Sequence, residues 1–452
     1  MKFGGTSVAD ANRLRGVAAL AAENADAGVL LVLSAFSGVT DGLFAAGRAA
    51  VAGKETEALA LLGAMIERHR ATAAELLGLG RSAADALPES IETALAGAAA
   101  DLGAVLKGAS LLRALPERSL DILAGRGELL STAILAAFMG APWVDARSVM
   151  RTDSRFGCAK PQTDEIRKLA VQRILPLVGP GKIAVTQGYI GADASGAPTT
   201  LGRGGSDYSA SLFGAALGAS EIQIWTDVEG VLTCDPRIVP EARPVELLGY
   251  DEAAELAAFG AKVLHPSTIL PAVELGIPVT VRNSMVPKGR FTTISRGSAS
   301  GRSVTALASR SPVTVLTVST PRMLGGSGFL ASIFEVFGRR GVSVDLVATS
   351  EVSVSVTVDG KAGVDGLASD LAELGEVRIE RDRAVVALVG ERLHKTPGVP
   401  GRALAALSKI NVEMISLGAN EINLSLVVEQ SQAAEAQRRL HAAFFEKEKE
   451  AQ

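Results

Sequence analysis

Continuous apolar runs alternate with Ala-rich stretches of helical period through residues 1 to about 295. The runs at 28–34 (GVLLVLS), 182–190 (KIAVTQGYI), 221–228 (EIQIWTDV) and 278–283 (PVTVRN) read as strands. Their positions do not alternate polar with apolar, so both faces of each are expected to be covered, as in a parallel sheet flanked by helices. Helices are predicted between them, including 207–217 and 251–265. Residues 55–115 are helical in composition almost throughout, with Pro88 the one internal proline. That segment reads as a helical insertion packed on the sheet, with no pattern that suggests chemistry.

Residues 295–312 are rich in Ser, Gly and Arg and suggest a boundary, although 304–308 reads as strand. Beyond it the pattern repeats. The first unit predicts a strand at 313–319, a glycine loop, a helix at 329–339, strands at 342–349 and 353–358, and a helix at 364–374. The second predicts a strand at 385–389, the loop PGVPG, a helix at 402–409, strands at 412–417 and 421–428, and a helix at 433–444. Val313 and Val385 stand 72 residues apart, and Val342 and Val412 stand 70 apart, as expected for two βαββαβ units. The expected domains are therefore 1–295, 304–380 and 381–446.

Composition narrows the class. The chain has 452 residues, 48% hydrophobic and 21% charged, which excludes a disordered chain and is long enough for large cores without disulfides. With 45 basic and 49 acidic residues the net charge is −4, so no basic excess points to nucleic acid. Cys158 and Cys234 lie far apart and the four histidines are scattered, giving no metal-ligand spacing and fitting a reducing compartment. The N-terminus lacks the apolar core of a secretory signal, and no uncharged apolar run reaches the roughly 18–20 residues of a membrane span. A soluble, cytoplasmic protein is expected, without membrane partners.

Five segments carry candidate chemistry. In Lys2-Phe3-Gly4-Gly5-Thr6-Ser7 paired glycines let backbone amides approach a phosphate, with Lys2 as a point charge; the bland reading is a tight turn. Thr200–Ser209 surrounds Arg203 with Gly202, Gly204 and Gly205 before Ser206 and Asp207. There Ser206 is either a helix cap or part of an anion site in which Arg203 presents its fork. Thr226-Asp227 leaves a buried strand and Arg237 follows, either as nucleotide contacts or as a loop-stabilising Asp–Arg pair. Lys262, inside an apolar stretch, either snorkels to solvent or enters a nucleotide site. Glu128, in GRGE before an apolar helix, either complements the helix dipole or holds an ammonium. No Walker loop, Ser-His-Asp order or metal cluster accompanies them. The sum suits phosphoryl transfer by positioning and charge neutralisation.

In their order, KFGGTSV, GRGE, TLGRGGSDYSA, WTDVEGV, DPR and FGAKVLHP resemble the aspartate kinases, and the duplicated tail resembles their paired ACT domains. The resemblance spans essentially the whole chain. It implies an amino-acid-kinase αβα sandwich followed by two ferredoxin-like ACT domains. The implied reaction moves the γ-phosphoryl group of ATP to the β-carboxylate of L-aspartate, the first step toward lysine, threonine and methionine. Mg2+ would bridge phosphate oxygens, mostly through water. Lys2, Phe3, Gly4, Gly5, Thr226, Asp227, Leu232, Arg237 and Lys262 would line the nucleotide side, with Lys2, Lys262 and Asp227 catalytic. Arg203 would clamp the substrate α-carboxylate and Glu128 its ammonium, with Thr40, Gly204, Gly205 and Ser206 beside them. The rivals are another acyl-phosphate kinase of the same fold, such as a glutamate 5-kinase, and an inactive amino-acid sensor.

Two departures from the family stand out. An apolar strand precedes KFGG in relatives, whereas Met1 directly precedes Lys2 here, implying an upstream start or a shortened strand. Leu232 occupies a position where the family admits a Tyr against the nucleotide. The ACT resemblance implies feedback control and a homodimer or larger homo-oligomer. Met323, Gly326, Gly328, Phe329, Leu330, Val344, Asp345, Thr349, Ser350 and Glu351 would form the effector pocket. The run SVDLVATSEVSVSVTVD is closest to lysine-inhibited members, and the second ACT unit is expected to be structural. The length leaves no room for a fused homoserine dehydrogenase, so a monofunctional enzyme is expected.

Overall fold

The computed structural model describes residues 1–79, 86–260, 266–296, 302–324, 326–418 and 420–446. Contacts group the chain into two units, Met1–Gly230 with Leu264–Arg296, and Val231–Val263 with Gly297–Gln452. The segment 231–263, expected within the first domain, thus shares its contacts with the C-terminal part.

In the first unit the sheet runs, in spatial order, Trp143–Val144, Ile183–Gln187, Val29–Leu33, Lys2–Phe3, Ile222–Thr226, Val279–Asn283 and Thr292–Ser295. All neighbours are parallel except the last pair. Lys2–Phe3 is only two residues long, yet it is hydrogen-bonded on both sides. Phe3 is fully buried and stacks on Trp225 with ring centroids 5.7 Å apart. Truncating a buried Phe of this kind costs about 3–5 kcal/mol, so one side chain anchors much of the short strand. The predicted strand 182–190 is really Ile183–Gln187 followed by a hairpin of Ile190–Ala192 with Pro198–Thr200. The break falls at Tyr189, which adopts φ 71°.

The helical insertion forms as expected, as Glu55–Leu77 and Glu89–Leu112. Pro88 precedes the second helix as its N-cap, where its lack of an N–H costs nothing. Ile91, Leu95, Ala98, Leu102 and Leu106 recur every three or four residues and are buried. Glu89–Leu112 and the stretch Glu117–Met139 have the length and hydropathy of a membrane span, but here they pack into the core of the unit.

The second unit is built on two long antiparallel strands, Ala306–Ser319 and Glu376–Val389, whose register shifts between Arg310 and Val315. The full order is 347–349, 353–359, 306–319, 376–389, 423–429 and 414–417. Each βαββαβ half takes half of each long strand. Residues 313–319 pair with Ser353–Asp359 in the first half, whereas Ala306–Arg310 pair with Val385–Val389 in the second. The tandem division at 380/381 therefore does not follow the sheet: the second half takes its last strand from residues preceding the first. The expected strand 342–349 shortens to Val347–Thr349. Cys234 lies buried in this unit, its thiol pushed up to about 12 by burial, and Cys158 of the first unit is exposed; both are free.

Candidate active site

At the C-terminal ends of the central strands, backbone hydrogen bonds tie several loops together. Gly4 N–H donates to the Trp225 carbonyl, Ser34 N–H to Phe3, and Ser37 N–H to Gly5. A Cβ on Gly5 would fall 3.0 Å from the Ala35 carbonyl oxygen, so any larger residue would push these two loops apart by a few tenths of an ångström. The chain then turns through Gly5–Val8, and Ser7 Oγ lies 2.7 Å from Ser284 Oγ. The Ser284 hydroxyl also donates to the Thr226 carbonyl. Three strand ends thus share one connected backbone floor, where open parallel sheets bind ligands.

Lys2 rises from this floor. It is buried, and its Nζ lies 2.7 Å from Asp207 Oδ1 in the first turn of the Gly205–Leu217 helix. Asp207 escaped the sequence reading as a site residue. Only a carboxylate in the first turn after the glycine loop hinted at it. The neighbouring Ser206 receives a hydrogen bond from Ser34 Oγ at 3.0 Å, so the GRGGS loop and the loop after Val29–Leu33 meet directly. Gly204, at φ 73°, turns the chain into the helix. On its other side the loop is anchored by buried Asp121, which accepts from the Thr200 amide and hydroxyl.

Glu128 is 4% exposed, in the first turn of the Arg126–Met139 helix. Burial pushes its carboxyl up to about 7, only partly countered by backbone amides of Glu128 and Ala35. Its Oε2 has no hydrogen-bond partner among the described residues. A buried, unsatisfied carboxylate oxygen is costly and calls for a cationic donor. Ser131 Oγ, one turn on, donates to the Ser34 carbonyl, so this helix braces the same loop. Thr40 lies in the first turn of the Val39–Val51 helix that the loop enters.

Arg203 is exposed and has no ion-pair partner among the described residues, leaving its fork available. Thr226 Oγ1 donates to Asp227 at 3.1 Å, and Asp227 is exposed. Leu232 and Arg237 belong to the second unit. There Leu232 bridges to Pro244, and Arg237 folds back on Asp235, its Nε and Nη2 donating to the two carboxylate oxygens, the loop-stabilising alternative. Lys262 lies outside the described residues. A cavity of about 510 Å³ lined by Arg126, Ala133, Trp143 and Arg147 shares no residue with these loops.

The expected effector residues fall at two ends of one half-sheet. The Thr320 amide donates to the Val352 carbonyl, placing the Pro321–Met323 turn beside the tight Ser350–Ser353 turn. Phe329 and Leu330 begin the helix that follows, after Gly328 at φ 86°; Gly326 is in the loop between. Val344 and Asp345 lie at the opposite end of the Val347–Thr349 edge strand. Asp345 N–H donates to the Thr357 carbonyl and its carboxylate accepts from Arg310 at 2.8 Å. Within one chain the expected pocket is therefore split.

Residues 1–283 match the amino acid kinase family and residues 386–444 the ACT domain. The chain is 38% identical to lysine-sensitive aspartokinase 3 of Escherichia coli over 462 residues, covering 98% of each. Aspartokinase 1, chloroplastic, of Arabidopsis thaliana is 38% identical over 99% of this chain and 80% of its own length. The structure of E. coli aspartokinase III in complex with aspartate and ADP (R-state) has a TM-score of 0.81 at 37% identity, covering 98% of this chain and 99% of that one. With fold, floor and family in agreement, the chain belongs to the aspartokinases, ATP-dependent phosphotransferases of the amino acid kinase fold with a C-terminal ACT region.

Proposed function

We propose that the first unit moves the γ-phosphoryl group of ATP to the β-carboxylate of L-aspartate, giving 4-phospho-L-aspartate. The observation that carries this is the buried Lys2 ammonium on the central strand, beneath the Gly4-Gly5 turn and 2.7 Å from Asp207 of the GRGGSD loop. An aspartate β-carboxylate is ionised at neutral pH, its reference pKa being near 4, so no general base is needed. The reaction instead needs cationic relief between two anions. Lys2 and the amides after Gly4 would hold the phosphates, with Thr226 and Asp227 on the nucleotide side. Arg203 would take the α-carboxylate and Glu128 the ammonium that its orphaned oxygen lacks. The close approach of backbone at Gly5 fits a phosphate cradle. Mg2+, carried in on the nucleotide, would neutralise phosphate charge there.

An ATP-coupled assay with aspartate and glutamate in parallel tests the substrate. Turnover of aspartate alone is expected, and turnover of glutamate with aspartate inert would overturn the reading. Arg203→Ala is expected to raise KM for aspartate about tenfold or more, the worth of a lost bidentate carboxylate contact, and KM for ATP less than twofold. Equal rises in both would contradict the assigned role.

We further propose lysine as the effector, bound between two copies of the chain. E. coli aspartokinase III has been solved in complex with lysine and aspartate (T-state), and that structure has a TM-score of 0.77 against this chain at 37% identity, covering 98% of each. Val347–Thr349 is an edge strand with Val347 40% exposed, and such edges pair with another strand. Antiparallel pairing about a two-fold axis would bring Asp345 of one copy to Ser350 and Glu351 of the other, joining the two separated groups. Asp345→Ala should raise the lysine concentration for half-inhibition at least tenfold and leave uninhibited turnover within twofold. Arg310 keeps Asp359 as a partner in that variant. Loss of uninhibited turnover would instead make Asp345 a folding residue.

A further inference from the structure

The helical insertion, which shows no chemistry in its sequence, reaches the active-site floor through one side chain. Arg68, on the Glu55–Leu77 helix, donates from Nη1 to the Ser37 carbonyl at 2.8 Å and from Nη2 to the Ala9 carbonyl at 3.0 Å. Ala9 caps the turn that follows Gly4-Gly5. Ser37 belongs to the loop that leads from Val29–Leu33 into the Val39–Val51 helix. One guanidinium therefore spans the glycine turn assigned above to the phosphates and the loop that leads into Thr40, which the family resemblance places beside aspartate.

The neighbouring groups stiffen the joint. The His69 ring stacks on Phe36 with centroids 4.6 Å apart, and Arg68 lies 6.0 Å over the same ring. Burial holds the His69 imidazole down to about 4, so it packs as a neutral plate. The planar, rigid guanidinium fork suits two divergent carbonyl acceptors, whereas an ammonium is a single point. Arg68 itself is exposed, so replacing it removes little core packing beyond its contact with the Phe36 ring.

We infer that Arg68 is a positioning residue for phosphoryl transfer, setting the spacing between the glycine turn and the Ser34–Thr40 loop. The inference rests on the phosphate assignment of the preceding subsection and on the place beside aspartate that the family resemblance implies for Thr40. Spacing matters because both reactants are held by different loops, and a shift of about 1 Å between them can cost up to about 100-fold in rate.

Steady-state kinetics and amide hydrogen exchange on the full-length chain test this. Arg68→Ala should lower kcat about 10- to 100-fold with KM for ATP and for aspartate each within about threefold, because Arg68 touches neither. Arg68→Lys, which can keep one of the two bonds, should fall between. Exchange should rise at amides 5–9 and 36–40 of the free protein and stay unchanged elsewhere. A selective rise in KM for ATP at constant kcat would overturn the inference by making Arg68 a phosphate contact. Unchanged kcat, or faster exchange throughout residues 1–79 with a lower Tm, would overturn it as well. Wild-type chain inert toward aspartate would refute the loop assignments and this role with them, and the exchange experiment would separate that failure from the absence of a joint.

Discussion

Replacing Lys2 by methionine is expected to lower kcat by about 10²–10³, the usual cost of removing one preorganised donor from a developing anion. The side chain is held in place before any ligand arrives. Strand pairing on both sides fixes its backbone, and Asp207 at 2.7 Å fixes its Nζ. Methionine keeps the volume and removes the charge, so the strand should persist. Asp207 loses its counter-ion in that variant, and because the pair is partly shielded, a stability loss of roughly 1–3 kcal/mol should accompany the kinetic one. Asp207→Asn keeps Lys2 charged and relieves the pair, and should retain far more activity. Measured kcat and Tm for the two variants check this. Near-normal kcat in Lys2→Met with a lowered Tm would make the lysine structural.

Glu128→Gln should have two opposed effects. With its carboxyl pushed from the ordinary 4.5 up to about 7, Glu128 keeps a proton in the folded, ligand-free chain that the unfolded chain has already released between those pH values. Stability therefore falls as pH rises through this window, and the full cost is present above about pH 7. Glutamine carries no charge at any pH and escapes it. The variant should gain roughly 1–3 kcal/mol at pH 8 and little at pH 4.5. At the same time a substrate ammonium loses its counter-charge, and KM for aspartate should rise about 100-fold. In the wild type, KM for aspartate should fall between pH 6 and 8 as Glu128 ionises. Thermal melts at the two pH values together with KM profiles test both halves. A variant less stable at pH 8, or with unchanged KM, would remove Glu128 from the substrate site.

How far the sequence carried these assignments depended on what each residue needs. Continuous apolar runs announced the parallel sheet because burial on both faces leaves that pattern, and the glycine-rich segments announced close backbone approaches. Asp207 stayed hidden because its partner lies on the central strand, some two hundred residues earlier, and nothing local marks it. Arg237 read equally well as a phosphate ligand and as a partner for a nearby Asp, and in the structure it chelates Asp235. The exchange of half-strands between ACT halves was hidden too: each half of Ala306–Ser319 looks like an ordinary strand, and only its pairing shows which fold it completes. Asp345 and Ser350 are neighbours in sequence yet stand at opposite ends of an extended strand, so sequence proximity misled about a shared pocket. Arg68 looked like one more charge on a solvated helix, and only its two acceptors set it apart.

On the proposal above, transfer depends on cationic groups of the first unit, Lys2 and Arg203, bringing the ATP phosphates and L-aspartate together. A crystal structure of this chain with a non-hydrolysable ATP analogue, Mg2+ and L-aspartate tests it most directly. Lys2 Nζ is expected within hydrogen-bonding distance of a phosphate oxygen, with Arg203 on the substrate α-carboxylate and Glu128 Oε2 on its ammonium. Ligands bound elsewhere, with Lys2 still engaged only by Asp207 and Glu128 Oε2 still unpartnered, would contradict it.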